Sequence, residues 1–175
     1  MASTRTEGHA DPAAELTLGC RHELAPAERD AVRALHLSPR QVDFAGTTTA
    51  AIAACEAADP DRVRGLALRA QARVVGFAVL KRAQAAPAWA PPGAAVVSGL
   101  RVDAARQGRG LGTAALRALA SWVRAHWPEC VAVALRVDGG NAAAIRAYAK
   151  AGWVETGERR QGRVDLERTL TLALR

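Results

Sequence analysis

The chain has 175 residues, half of them hydrophobic and only 4% aromatic, which suits one domain with a core of mainly Ala, Leu and Val. Its formal net charge of +7 favours phosphorylated or otherwise anionic partners. The Arg residues are interspersed with acids rather than clustered, which argues against a nucleic-acid-binding module.

Residues 1–12 are small, polar and punctuated by Gly and Pro, as in a disordered tail, leaving 13–175 as a single domain. Residues 15–22 alternate apolar and polar, the pattern of a half-buried strand. Pro26 and Glu28 open a short helix with Val32, Leu35 and His36 on one side, and residues 37–44, with Pro39, break it. A second helix is expected over 48–58, ended by Asp59 and Pro60. Residues 63–70 and 73–82 form a hairpin on a Gln71–Ala72 turn, and 74–80 are apolar enough to be central in a sheet. Residues 83–93 carry Pro87, Pro91 and Pro92 and read as a loop. Trp89 in that loop is either a docked staple or part of a lid.

Residues 94–102 are strand-like and lead into Arg106-Gln107-Gly108-Arg109-Gly110-Leu111-Gly112-Thr113. Leu111, Ala115, Leu119, Trp122, Val123 and His126 then recur at helical spacing, giving a helix over 110–127. Residues 131–137 are a buried-type strand, Asp138-Gly139-Gly140 turns the chain, and Asn141 caps a helix that carries Ile145 and Tyr148 and ends at Gly152. A strand over 153–157 and a turn over 159–163 follow. Val164, Leu166, Leu170, Leu172 and Leu174 mark one face of the last strand; Arg168 interrupts it, as a bulge or a pocket-facing charge. Cys20, Cys55 and Cys130 form no CxxC pair and the four His are dispersed, so neither a disulfide framework nor a metal site is expected. No apolar run is long enough to cross a bilayer and no secretory leader is evident, so a soluble cytoplasmic protein without a membrane partner is expected.

Two strand–loop–helix units carry the chemistry. In the first, glycines without a Cβ let backbone N–H groups approach an anion, and the following helix adds a partial positive charge. In the second, Asn141 and Tyr148 lie seven positions apart, two helical turns, and so on nearly one face.

The Gln107–Gly112 run after a Leu-x-Val strand, followed by Asn141-x-x-Ala144-x-x-x-Tyr148-x-x-x-Gly152-Trp153, resembles the GNAT (GCN5-related N-acetyltransferase) superfamily. That resemblance implies a mixed α/β (α+β) fold: a twisted, mostly antiparallel central sheet with one splayed parallel strand pair, flanked by about four helices. It implies acetyl-CoA as co-substrate, no metal, an amine acceptor and, as an assembly option, a homodimer. Pantetheine would pair with the strand at Leu100, Arg101 and Val102, and the diphosphate would rest on Gln107, Gly108, Arg109, Gly110, Leu111, Gly112 and Thr113. Asn141, Ala144 and Tyr148 would complete the cofactor site, with Tyr148 as general acid toward the departing thiolate. A Leu100 or Arg101 backbone N–H is the expected oxyanion donor.

Many members of that superfamily carry a Glu base on the strand before the loop, where this chain has Val97-Ser98-Gly99-Leu100. Ser98 can order a water but is no strong base, which leaves a water chain, or a carboxylate elsewhere such as Asp43, Glu56 or Glu155, to serve as the base. Leu37-x-Pro39-x-Gln41-x-x-Phe44 is similar to a segment of the diamine/polyamine acetyltransferase-like branch. That implies a small cationic amine held by acids such as Asp43, Glu56 and Asp59. A protein or antibiotic amine, or a non-catalytic acyl-CoA sensor of the same fold, are the alternatives.

Overall fold

The computed structural model describes residues 16–157, 159–162 and 165–174, so the expected tail over 1–12, with Glu15, Arg163 and Val164, lies outside the described residues. Eight strands form one sheet: β1 Thr17–Cys20, β2 Val63–Ala70, β3 Arg73–Lys81, β4 Ala94–Val102, β5 Ala132–Asp138, β6 Val154–Glu155, β7 Arg160–Gln161 and β8 Leu166–Ala173. Their order is β1-β2-β3-β4-β5-β8-β6, with β7 also on β8. Only β4 and β5 run parallel. Five helices flank the sheet: α1 Pro26–Arg33, α2 Pro39–Ala45, α3 Thr48–Glu56, α4 Leu111–His126 and α5 Ala142–Lys150.

Alternation along the strands gives the sheet two apolar faces. Leu66, Leu80, Val97, Leu135 and Leu170 point to one, against Leu116, Leu119 and Val123 of α4 and the partly buried Tyr148 of α5. Ala67, Phe77 and Val79 point to the other, against Val32 of α1 and Ile52 of α3. Each such side chain, taken fully from water, contributes about 1.5–3 kcal/mol before entropy is counted.

Three segments differ from the sequence expectation. Residues 37–44 do not break a helix; they start one. Ser38 Oγ accepts the Gln41 N–H at 3.3 Å while Gln41 Oε1 accepts the Ser38 N–H at 2.9 Å, and Pro39 sits in the first turn, where its missing N–H costs nothing. Arg160 and Gln161, expected in a turn, pair with Glu167 and Leu166. Arg168 makes no bulge: β5 and β8 pair without a register shift from Ala132↔Ala173 to Asp138↔Glu167, and Arg168 lies 3.5 Å from Glu155.

The feature that opens the sheet is in β4. Phe77 pairs with Arg101 and Val79 with Ser98, so Gly99 and Leu100 together face Ala78. Gly99 takes a φ of +74°, which a bulge residue needs and glycine supplies without strain. Parallel pairing with β5 runs only from Ala94↔Ala132 to Val96↔Ala134. Past Val96 the two strands part.

Candidate active site

The gap between β4 and β5 opens into a cleft of about 660 Å³ walled by α2, the end of β4, the glycine loop and α5. Gln107, Gly108, Gly110, Leu111, Gly112 and Thr113 line it. α2, α3 and α5 are capped by the side chains of Ser38, Thr47 and Asn141, but α4 starts at Gly110, with φ +75° and no side-chain cap. The first internal bond there is from the Ala114 N–H to the Gly110 carbonyl. The N–H groups of Leu111, Gly112 and Thr113 are thus the orphan donors of a 16-residue helix, and they lie at the cleft. A Cβ on Gly108 would meet nothing within 4 Å, so the loop backbone is bare. Bare backbone donors at a helix start have the chemistry to hold an anion. Arg109 is exposed and is not part of the lining, whereas Arg40, Arg146 and Lys150 are.

The β4 wall has a polarity set by antiparallel alternation. The Asp103 N–H donates to the Val75 carbonyl at 2.9 Å, and Arg101 pairs two residues earlier with Phe77, so Arg101 turns its backbone groups toward β3. Leu100 and Val102 then turn theirs toward the splay, where no strand answers. The Val102 carbonyl is already taken, by Gln41 Nε2 at 2.8 Å and Gln107 Nε2 at 3.2 Å. What remains for a ligand is the N–H and C=O of Leu100 and the N–H of Val102. Of the two expected oxyanion donors, the Leu100 N–H faces the splay and the Arg101 N–H faces β3.

On α5, Asn141, Ala144 and Tyr148 all line the cleft. Asn141 Oδ1 accepts the Ala144 N–H at 3.2 Å as the helix cap, which leaves its NH2 group for other partners. Tyr148 packs on the core, its ring 6.1 Å from that of Trp153. Burial alone pushes its phenol up to about 12, so the hydroxyl is a protonated donor at neutral pH.

The acceptor side is built by side chains that reach across long stretches of sequence. Arg40 of α2 lies 5.6 Å from the centre of the Phe44 ring and donates to the Gly140 carbonyl at 2.9 Å, bridging the cleft to the turn before α5. Arg101, only 5% exposed, extends beneath the end of α2. Its guanidinium donates to the carbonyls of Gly46 at 3.1 Å, Gly99 at 2.5 Å and Ala45. Sequence reasoning took Arg101 for its backbone and missed its side chain; the signal was a lone charge between Leu100 and Val102 in a central strand.

Among the described residues no carboxylate lines the cleft. Asp43 is exposed on α2, Glu56 pairs with Arg21 at 2.5 Å, and Asp59 pairs with Arg62 at 3.2 Å. Glu155 is held below the usual carboxylate range by its hydrogen bond from Arg159, with Arg168 adding to the effect. Ser98 sits in β4 opposite Val79 but outside the lining. Trp89 is docked, its ring centre 4.6 Å from the Arg136 guanidinium, and it too is outside the lining. Among the described residues no His, Cys, Asp and Glu cluster is arranged to hold a metal, and no helix is long and apolar enough to cross a membrane.

A model of the acetyltransferase (GNAT) family matches residues 29–153. Compared by sequence with curated proteins, the chain has no significant match. Among solved structures, the aminoglycoside acetyltransferase AAC(6')-Ib with coenzyme A superposes with a TM-score of 0.67 at 20% identity, covering 90% of this chain and 94% of that one. The spermidine N-acetyltransferase of Vibrio cholerae with CoA and spermine gives 0.69 at 13% identity, covering 92% and 96%. The ribosomal-protein-S18-alanine N-acetyltransferase of Escherichia coli gives 0.62 at 18%, covering 91% and 94%. At these identities the likeness is one of fold.

Proposed function

The chain belongs to the acetyltransferase (GNAT) family, and from that premise we propose that it transfers acetyl from acetyl-CoA directly to a primary amine. The carrying observation is a convergence: uncapped α4 donors, the unanswered edge of β4 at Leu100 and Val102, and Tyr148 all line one cleft. The diphosphate rests on the N–H groups from Gly108 to Thr113, with Arg146 and Lys150 at the rim. The pantetheine arm adds to β4 as a further strand through Leu100 and Val102. Free cysteines at positions 20, 55 and 130 suit a reducing, cytoplasmic setting.

In the transfer, the neutral amine nitrogen attacks the thioester carbonyl carbon, the C–S bond breaks and CoA departs as the thiolate. The Leu100 N–H is the donor for the oxyanion. The new amide nitrogen gives up one proton, and the thiolate gains one to leave as CoA thiol. Tyr148 is the donor to that sulfur. Full transfer from a phenol at about 12 to a thiol near 8.5 is uphill by about 5 kcal/mol. Tyr148 therefore acts first as a hydrogen-bond donor to the departing sulfur, and burial of the thiolate in the same cleft narrows the gap.

Thermal unfolding with acetyl-CoA, and CoA release across an amine panel, test this for wild type and Tyr148→Phe. Both proteins should be stabilised by acetyl-CoA, and the variant should lose at least ~10-fold in kcat. Unchanged turnover in the variant removes Tyr148 from the reaction. Acetyl-CoA binding without turnover on any amine favours a sensor of the same fold. The three solved neighbours are named for an aminoglycoside, spermidine and a ribosomal-protein alanine. The fold accepts chemically different amines, so the acceptor class has to be read from this chain's own cleft.

A further inference from the structure

Arg101 is a buried cation whose hydrogen-bond partners are all carbonyls, those of Ala45, Gly46 and Gly99. It lines the cleft beside Leu100, whose N–H faces the thioester in the reading above. The charged and titratable groups around it do not cancel it. On α3, Cys55 is a thiol kept protonated by burial, and Arg21 and Lys81 both act on that thiol as further positive charges. Glu56, the acid of that region, is engaged with Arg21. On α2, Asp43 is exposed and Arg40 is a second cation. On β3, the residue paired with Arg101 is Phe77. The carbonyls at the C-terminal end of α2 offer only partial negative charge, of the order of half an elementary charge.

A buried positive charge in the wall of the cleft disfavours a second cation there and favours an oxyanion. An amine acceptor must lose a proton before it can attack, and among the described residues no carboxylate lines the cleft to take it. We propose that Arg101 is the specificity-determining residue of this site. Its charge makes the bound acceptor a neutral amine, and so selects weakly basic α-amino groups over strongly basic alkyl amines such as lysine side chains and polyamines. This rests on the acetyl-transfer reading. In atoms, the ammonium proton leaves to solvent as the acceptor settles, the neutral nitrogen forms the C–N bond, the C–S bond breaks, and the proton lost by the amide nitrogen balances the one gained by the thiolate.

The test uses the full chain with two probes, an alanyl tripeptide with a free α-amine and Nα-acetyl-lysine amide, whose amines have pKa values near 8 and 10.4. CoA release is followed from pH 6 to 10 for wild type, Arg101→Lys and Arg101→Gln. Wild type should favour the tripeptide at neutral pH by at least ~100-fold in kcat/KM, a comparison that needs no variant. For the tripeptide, the inflexion in kcat should lie below the pKa of the free amine. Arg101→Gln should move it upward by about one pH unit, a loss of about 10-fold at neutral pH recovered at pH 10, while Arg101→Lys keeps the wild-type position. Equal use of both probes by wild type overturns the proposal, as does a loss in Arg101→Gln that is the same at every pH. Acetyl-CoA stabilisation of wild type without transfer to either probe overturns it as well. Absence of acetyl-CoA stabilisation in wild type instead overturns the acetyl-transfer reading beneath it.

Discussion

The two walls of the cleft are made of different material. The wall proposed for the cofactor is backbone: the bulge at Gly99, the open edge of β4 and the bare start of α4, all contributed by residues close together in sequence. The wall proposed for the acceptor is side chain: Gln41 reaching Val102, Arg40 reaching Gly140, Arg101 reaching Ala45, each across fifty residues or more. A backbone wall asks of the sequence only glycine and a strand-to-helix junction. A side-chain wall can change its chemistry one residue at a time while the fold stays.

That contrast can be broken most forcefully at Gly110. Its φ of +75° disfavours any L side chain by about 1–2 kcal/mol, and a branched one also blocks the approach to the orphan N–H groups. Gly110→Val should weaken acetyl-CoA binding by at least ~10-fold in calorimetry and lower stability by about 1–2 kcal/mol. Normal affinity in this variant means the cofactor is not held by this backbone.

A smaller effect is expected across the cleft, from Gln41→Ala. It removes the capping box of α2 and the bond to the Val102 carbonyl, together costing about 1–2 kcal/mol by denaturant titration. Because the Val102 carbonyl, then held by Gln107 alone, faces the splay, the KM for acetyl-CoA should also change. An effect on the amine KM alone would show that the two walls are independent.

A third effect appears only in alkaline solution. The Tyr148 phenol ionises near 10 in the unfolded chain and at about 12 in the folded one. The unfolded state therefore loses its proton first, and stability falls as pH rises from about 10 to about 12. Below pH 10 there is no such dependence, and Tyr148→Phe should remove this component of the alkaline decline. A wild-type curve identical to that of the variant would place Tyr148 in water rather than against Trp153.

The wall proposed for the cofactor was legible in outline because each part has a local signature. Gly110 starts α4 and Asn141 caps α5, where the sequence expects those helices to begin. The acceptor wall was not. Pro39 reads as a breaker until one sees that Ser38 and Gln41 make it a first-turn proline, a matter of three residues against a general rule. Asp43, Glu56 and Asp59 are near one another in sequence, yet helix geometry and their Arg neighbours keep them from the cleft. The side chain of Arg101 has partners 55 and 56 residues away, which no periodicity reports. Arg160 and Gln161 became a strand only because β8 offered an edge.

The missing cap on α4 also bears on how the protein behaves when concentrations change. Three other helices close their first turn with their own side chains, each worth about 1 kcal/mol. With acetyl-CoA bound as proposed above, the first turn of α4 is closed by a ligand, which converts part of the folding free energy into a mass-action term. At a ligand concentration of about 100 times Kd, the folded state gains about 2.7 kcal/mol. The durability of this fold in a cell is then coupled to its supply of acyl carrier, and depletion of that pool leaves the chain more exposed to unfolding.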